Sequence, residues 1–183
     1  MKKNKMIRPI AFLLITAALS LPVALRAQDE SKHEKIVADS REAKAEFIAK
    51  DELMKSLFEN SAGYVIFPNV GKGAVGVGGA AGNGIVFQKD NIIGTAKMKQ
   101  VSVGFQFGGQ AYREVIFFED QAALDRFKGD KFEFSGQASA VAATKGASAN
   151  VKYRNGVMVF TQQKGGLMYE ASIGGQKFSF KPI

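Results

Sequence analysis

Lys97 and Lys99 stand two residues apart in a stretch, Ile92 to Phe107, whose residue types alternate. On a strand such alternation sends i and i+2 to one face. Ile93, Thr95, Lys97, Lys99, Val101, Val103, Phe105 and Phe107 are expected on one side, and Gly94, Ala96, Met98, Gln100, Ser102, Gly104 and Gln106 on the other. Two ammonium groups next to Val101 and Phe105 could hold an anionic group such as a phosphate, with apolar surface left for what the phosphate carries. Lys72, between Gly71 and Gly73, is a third cation of this kind. The plain alternative is that these lysines line a solvated strand end.

Other chemistries are poorly supplied. Gly71-Lys72-Gly73-Ala74-Val75-Gly76 spells G-x-G-x-x-G, and Asp90 follows where a dinucleotide fold places an acid. That mechanism needs a helix N-terminus under the pyrophosphate, and the glycine-rich run that follows cannot form one. Lys72 precedes Gly73 rather than Ser or Thr, so there is no Walker A sequence. The single histidine, His33, lies at the polar start of a helix, and no G-x-S-x-G elbow is present. Without cysteine, metal ligation falls to carboxylates such as Glu119, Asp120 and Asp125, which read better as the solvated start of a helix. The chain is therefore expected to be no enzyme and to need no cofactor or metal.

The elements that must position the lysines come next. The chain has 183 residues, 46% hydrophobic and 23% charged, with twenty glycines and fifteen phenylalanines. That is enough for one core, and its composition favours strands and turns. Residues 1–27 read as a signal peptide: Lys2, Lys3, Lys5 and Arg8 precede an apolar run, Ala11 to Leu25, and Leu25-Arg26-Ala27 offers a cleavage site. Its removal takes five basic side chains and no acidic one, lowering the net charge from +8 to +3. So small an excess gives no support to nucleic-acid binding. A soluble or peripherally membrane-associated protein, exported to the periplasm or cell envelope, is the expected location.

Residues 28–60 have a helical pattern. Ser31-x-x-Glu34 has the form of a capping box, and Ile36, Ala43 and Phe47 share a stripe that Leu53, Met54, Leu57 and Phe58 continue. Residues 61–183 read as mainly β, with a short helix near 120–128 from Gln121 to Phe127 closed by Gly129. Within 61–87, three apolar runs are parted by glycine-rich joints, as in tightly turned β-structure. Val115 to Phe118 reads as a strand covered on both faces. Further strands are expected at Val151–Tyr153, Val157–Thr161, Leu167–Ile173 and Lys177–Phe180, and Ala138 to Ala149 fits a strand or a loop. The expected fold is α+β: N-terminal amphipathic helices packed on a mostly antiparallel, glycine-rich, twisted β-sheet or partial barrel.

Several of these runs carry a resemblance. Ala62-Gly63-Tyr64-Val65-Ile66-Phe67-Pro68, Lys72-Gly73, and the ladder Gly76, Gly78, Gly79, Gly82 and Gly84 resemble the SYLF domain family. So do Ser102 to Gln110, Val115 to Phe118 before a short helix, and Lys164-Gly165-Gly166-Leu167-Met168. The similarity covers roughly residues 35–183 within a single domain, 28–183. It implies a non-catalytic lipid-binding module, with Lys72 matching the basic residue after the F-P element and the helix from Glu34 to Phe58 matching the region credited with membrane contact. The acidic character of that helix departs from the eukaryotic pattern. An exported protein of this kind is expected to contact anionic phospholipid headgroups through Lys72, Lys97 and Lys99. The competing expectation is an envelope structural or protein-interaction module that works through a sheet edge.

Overall fold

A computed structural model describes residues 11–75, 77–102, 110–129, 132–135, 138–164 and 170–183; the side chains of 11–27, 72–75, 77–78, 101–102, 110 and 170–172 lie outside that description. The chain divides into two compact units, Met1–Lys35 and Ile36–Ile183. Helix α1, Ala11–Lys50, runs through the division. Ser31 thus lies inside a helix rather than at a helix start. Its Oγ donates to the Gln28 carbonyl at 3.1 Å, the back-bond a mid-helix serine makes instead of a cap. Among the described residues no helix is long and apolar enough to cross a membrane.

In the larger unit, α1 ends at Lys50, and α2, Met54–Asn60, follows after a break at Asp51. Eight strands then form one open sheet: β1 Gly63–Val75, β2 Val77–Gln88, β3 Asn91–Ser102, β4 Gln110–Phe118, β5 Ser139–Ala142, β6 Val157–Gln163, β7 Glu170–Ser172 and β8 Gln176–Pro182. Their order is β7-β5-β6-β4-β1-β2-β3-β8, and every pairing is antiparallel except β5 with β6. A short helix, α3 Gln121–Lys128, begins where Asp120 Oδ1 accepts from the Ala123 amide at 2.7 Å and ends at Gly129. The strand-or-loop segment contains both β5 and a 3-10 turn, Ala147–Asn150, whereas Val151–Tyr153 is no strand.

The glycine-rich stretch is a single long hairpin rather than several short turned runs. β1 and β2 pair from Tyr64↔Phe87 to Val75↔Val77, with Gly73 opposite Gly79. Gly84 shows one reason for glycine here. A Cβ at this position would stand 2.6 Å from the Ile66 carbonyl oxygen and 2.7 Å from Phe67 Cδ1.

Each sheet face buries its own cluster. On one face Tyr64, Ile66, Ile85, Phe87, Val115, Phe117 and Phe160 meet Ala43 and Phe47 of α1 and Met54 and Phe58 of α2. Phe58 packs edge-on to both Tyr64 and Phe117, with centroids 4.9 and 4.8 Å apart. Lys44 fastens this layer: its Nζ lies 2.6 Å from Asp90 Oδ1 in the β2–β3 turn and 5.0 Å from the Phe58 ring centroid. The Lys89–Asp90 turn has positive φ at both residues, 49° and 62°, as a two-residue hairpin requires. On the other face Val65, Phe67, Val86, Met98, Ile116 and Phe118 close over Leu124 and Phe127 of α3 and Phe178 of β8. Val115 to Phe118 are fully buried in alternation between the two clusters, as a doubly covered strand should be.

Candidate functional site

Alternation along β3 buries Ala96, Met98 and Gln100 and leaves Lys97 and Lys99 exposed on the opposite face. The pattern slips once. A bulge opposite Val86 and Phe87 turns Ile93 toward the α3-side cluster, away from the face of Thr95 and the two lysines where alternation alone would put it. On β8, Gln176 and Phe178 are buried, while Lys177, Ser179 and Lys181 are exposed. Register sets Thr95 opposite Lys181, Lys97 opposite Ser179 and Lys99 opposite Lys177. Four lysines therefore share one face of two neighbouring strands. Directly opposed residues on such strands have Cβ atoms about 5 Å apart and diagonal ones about 7–8 Å, so like charges here repel. Lys177 also has an exposed acidic neighbour, Glu133, at 3.5 Å.

The floor beside these lysines is small and polar. On β2, Ala81 and Asn83 lie opposite Lys99 and Lys97 and are exposed, and β1 continues the rows with Gly71 and Asn69. Acidic side chains of α1 bound this region on the far side. Asn69 Nδ2 donates to Asp39 Oδ2 at 3.1 Å, and Arg113 pairs with Glu42 at 3.3 Å. The basic surface is thus formed by β3 and β8, and two acidic side chains of α1, Asp39 and Glu42, contact β1 and β4 beyond it.

Sequence reasoning placed three lysines together. Lys97 and Lys99 share a face, but Lys72 stands in a different register row, Gln110–Lys72–Ala80–Gln100–Gln176, with its side chain outside the described residues. The Val101 side chain and all of Phe105, the expected apolar companions, also lie outside the description. Lys177 and Lys181 were missed. Their alternation with Phe178 and Phe180 was visible, but the pairing that brings them to β3 was not.

Of the remaining candidates, Asp120 and Asp125 have structural partners. His33 is a half-buried residue of α1. Asp120 caps α3, and Asp125 accepts from Lys128 at 2.6 Å and from Gln121 at 2.9 Å, which holds its carboxyl below the ordinary value. Among the described residues no group of three or more His, Cys, Asp or Glu converges as metal ligands would. Gly71 to Val75 of the G-x-G-x-x-G run lie in β1, Gly76 lies outside the described residues, and the element that follows is strand β2 rather than a helix.

One ionisable group in the interior also escaped sequence reasoning. Glu114 is 0% exposed. Its Oε2 accepts from Gln176 Nε2 at 3.0 Å, and its Oε1 has no partner among the described residues. Burial pushes its carboxyl up to about 7. The signal was present, since Tyr112, Glu114, Ile116 and Phe118 alternate and so share one face of β4.

Comparison with known proteins adds two findings. Residues 99–182, from Lys99 to the end of β8, match the family described as Las17-binding protein actin regulator, Ysc84. Over 125 residues the chain is 29% identical to Beta cell expansion factor A of Aeromonas veronii, an alignment covering 68% of this chain and 48% of that protein. The chain thus spans about half the length of that curated relative. Together with the glycine-ladder and Phe-Pro runs, these matches show that the chain is similar to the SYLF family, which is associated with lipid binding and actin regulation.

Proposed function

We propose that this protein is a non-catalytic lipid-binding module that docks on anionic phospholipid headgroups through Lys97, Lys99, Lys177 and Lys181. The register of β3 against β8 carries this reading, because it gathers four lysines on one exposed face beside a floor of Ala81, Asn83 and Gly71. Cation repulsion on a strand pair costs stability, and an anionic surface relieves it. Each lysine near such a surface contributes about 1 kcal/mol of attraction, which salt weakens. Residues 1–27 act as the export signal in this reading, so the working chain is 28–183 in the periplasm or cell envelope.

The test is co-sedimentation of residues 28–183 with anionic and zwitterionic vesicles over a salt series. Binding confined to the anionic vesicles and fading with salt supports the proposal. Equal, salt-insensitive binding to both, or none, overturns it. The competing reading is a protein-interaction module that uses a sheet edge. At β8 that edge is partly occupied, since the Phe178 amide donates to the Phe132 carbonyl at 3.1 Å and the Phe134 amide to the Gln176 carbonyl at 3.0 Å.

A further inference from the structure

β4 and β8 are not neighbours in the sheet; β1, β2 and β3 lie between them. Yet Gln176 of β8 reaches across the interior to β4, where its Nε2 donates to Glu114 Oε2 at 3.0 Å and approaches Tyr112 OH at 3.5 Å. Two buried atoms of this pair lack partners among the described residues, Glu114 Oε1 and Gln176 Oε1. Both are acceptors if the carboxyl is ionised, and a buried acceptor without a donor is costly. A protonated carboxyl resolves both at once, because its hydroxyl can donate to the amide oxygen while the amide donates back.

We propose that Glu114 is held as a neutral acid whose Oε1 donates to Gln176 Oε1, closing a two-bond acid–amide pair that pins the edge strand β8 to β4, and that ionisation of Glu114 releases the pin. The surroundings favour the neutral form. Phe67 of β1 and Thr161 of β6 flank Glu114 in register, and neither titrates. Ala80 of β2 and Gln100 of β3 are uncharged. On α3, Arg126 turns to the Asn155 carbonyl and Lys128 to Asp125. Arg113 faces Glu42 on the other side of the sheet. Among the described residues the titratable group that faces Glu114 is Tyr112, whose phenol is itself pushed up by burial and by the Glu114 charge. The Lys72 side chain lies outside the description, and its register row ends at Gln176.

Release would loosen the strand that carries Lys177, Lys181 and the core residue Phe178. The experiment is a carbon-13 titration of the Glu114 side-chain carboxyl in the full chain, from about pH 5 to about pH 9, with hydrogen exchange of the β8 amides at each pH. A midpoint near neutrality is expected, with protection of β8, corrected for the chemical exchange rate, falling about tenfold over the same range. In Glu114→Gln an amide–amide pair keeps both hydrogen bonds, so protection stays flat with pH. An ordinary carboxylate midpoint, or pH-independent β8 protection in the unmodified protein, overturns the proposal even if that variant fails to fold. Lys72→Met tests an ion-paired alternative: an unchanged midpoint supports the acid–amide pair, and a raised one reveals an ion pair with Lys72 and overturns it.

Discussion

Asp51 and Ser148, 97 residues apart, are joined twice. Asp51 Oδ2 accepts from the Ser148 amide at 2.8 Å and from Ser148 Oγ at 2.7 Å. A third bond, from the Leu53 amide to Oδ1 at 3.2 Å, leads the chain into α2. One carboxylate thus fixes the break between α1 and α2 and ties it to the 3-10 turn before β6. Burial alone would raise the Asp51 carboxyl, but hydrogen bonds from Ser148, Leu53 and Gly146 outweigh it and hold the group below its ordinary value. Asp51→Ala should cost about 2–3 kcal/mol, since it removes hydrogen bonds to a charged group and strands buried donors. The depressed value gives stability that is present above the ordinary carboxylate range and lost as pH falls through the folded-state value. Urea denaturation of both proteins at neutral and acid pH measures this; a gap that does not narrow in acid would contradict it.

Glu114 has the opposite sign. Its carboxyl is raised from 4.5 to about 7 by burial, so between those values the folded state binds more protons than the unfolded chain. Stability should therefore fall as pH rises through that window, by about 3 kcal/mol in total, and level off above it. Glu114→Gln should match the unmodified protein at about pH 4 and exceed it by that amount at about pH 8. Denaturation midpoints at the two values decide the matter. A variant less stable at both would show that the carboxyl supplies something other than a titratable hydrogen bond.

Local signals were legible in the sequence, and long-range ones were not. α3 could be read from Gln121 to Phe127, closed by Gly129, because its cap Asp120 and its end directly adjoin its own residues. Val115 to Phe118 could be read because burial on both faces leaves a continuous apolar run. Ser31 misled because capping chemistry at residues 31–34 fits a helix start, while the residues before it propagate the helix. Ile93 misled because a bulge breaks the period of two without marking the sequence. Strand order, and with it the meeting of Lys99 and Lys177, depends on a pairing across the 78 or so residues between them that no local pattern encodes.

Glycine positions that look alike in sequence should differ sharply on substitution. A methyl at Gly84 would collide with the Ile66 carbonyl and the Phe67 ring, whereas one at Gly71 would meet nothing within 4 Å. Gly84→Ala is expected to cost about 1–3 kcal/mol through forced displacement of a packed ring and backbone. Gly71→Ala should be neutral or mildly stabilising, since alanine restricts the unfolded chain. Thermal melts of the two variants test this, and similar losses in both would mean that the hairpin needs glycine for flexibility rather than for clearance.

The lysine face permits a test in which binding and stability move in opposite directions. Lys99→Glu replaces a like-charge pair with Lys177 by an opposite-charge one across β3 and β8, which should stabilise the fold by a few tenths of a kcal/mol. The same change should weaken docking on anionic vesicles by about 2 kcal/mol, about thirtyfold in the partition coefficient, because one attraction is lost and one repulsion gained. Lys181→Glu, which faces Thr95 rather than a charge, should lose binding similarly with little change in stability. Lys55→Glu on α2, where Lys55 pairs with Glu59 on the exposed helix surface, serves as the control for net charge. If it weakens vesicle binding as much as Lys99→Glu does, attraction depends on total charge and the β3–β8 face is not the docking surface. If Lys99→Glu gains stability and loses binding while the control keeps its binding, the four lysines act as a site.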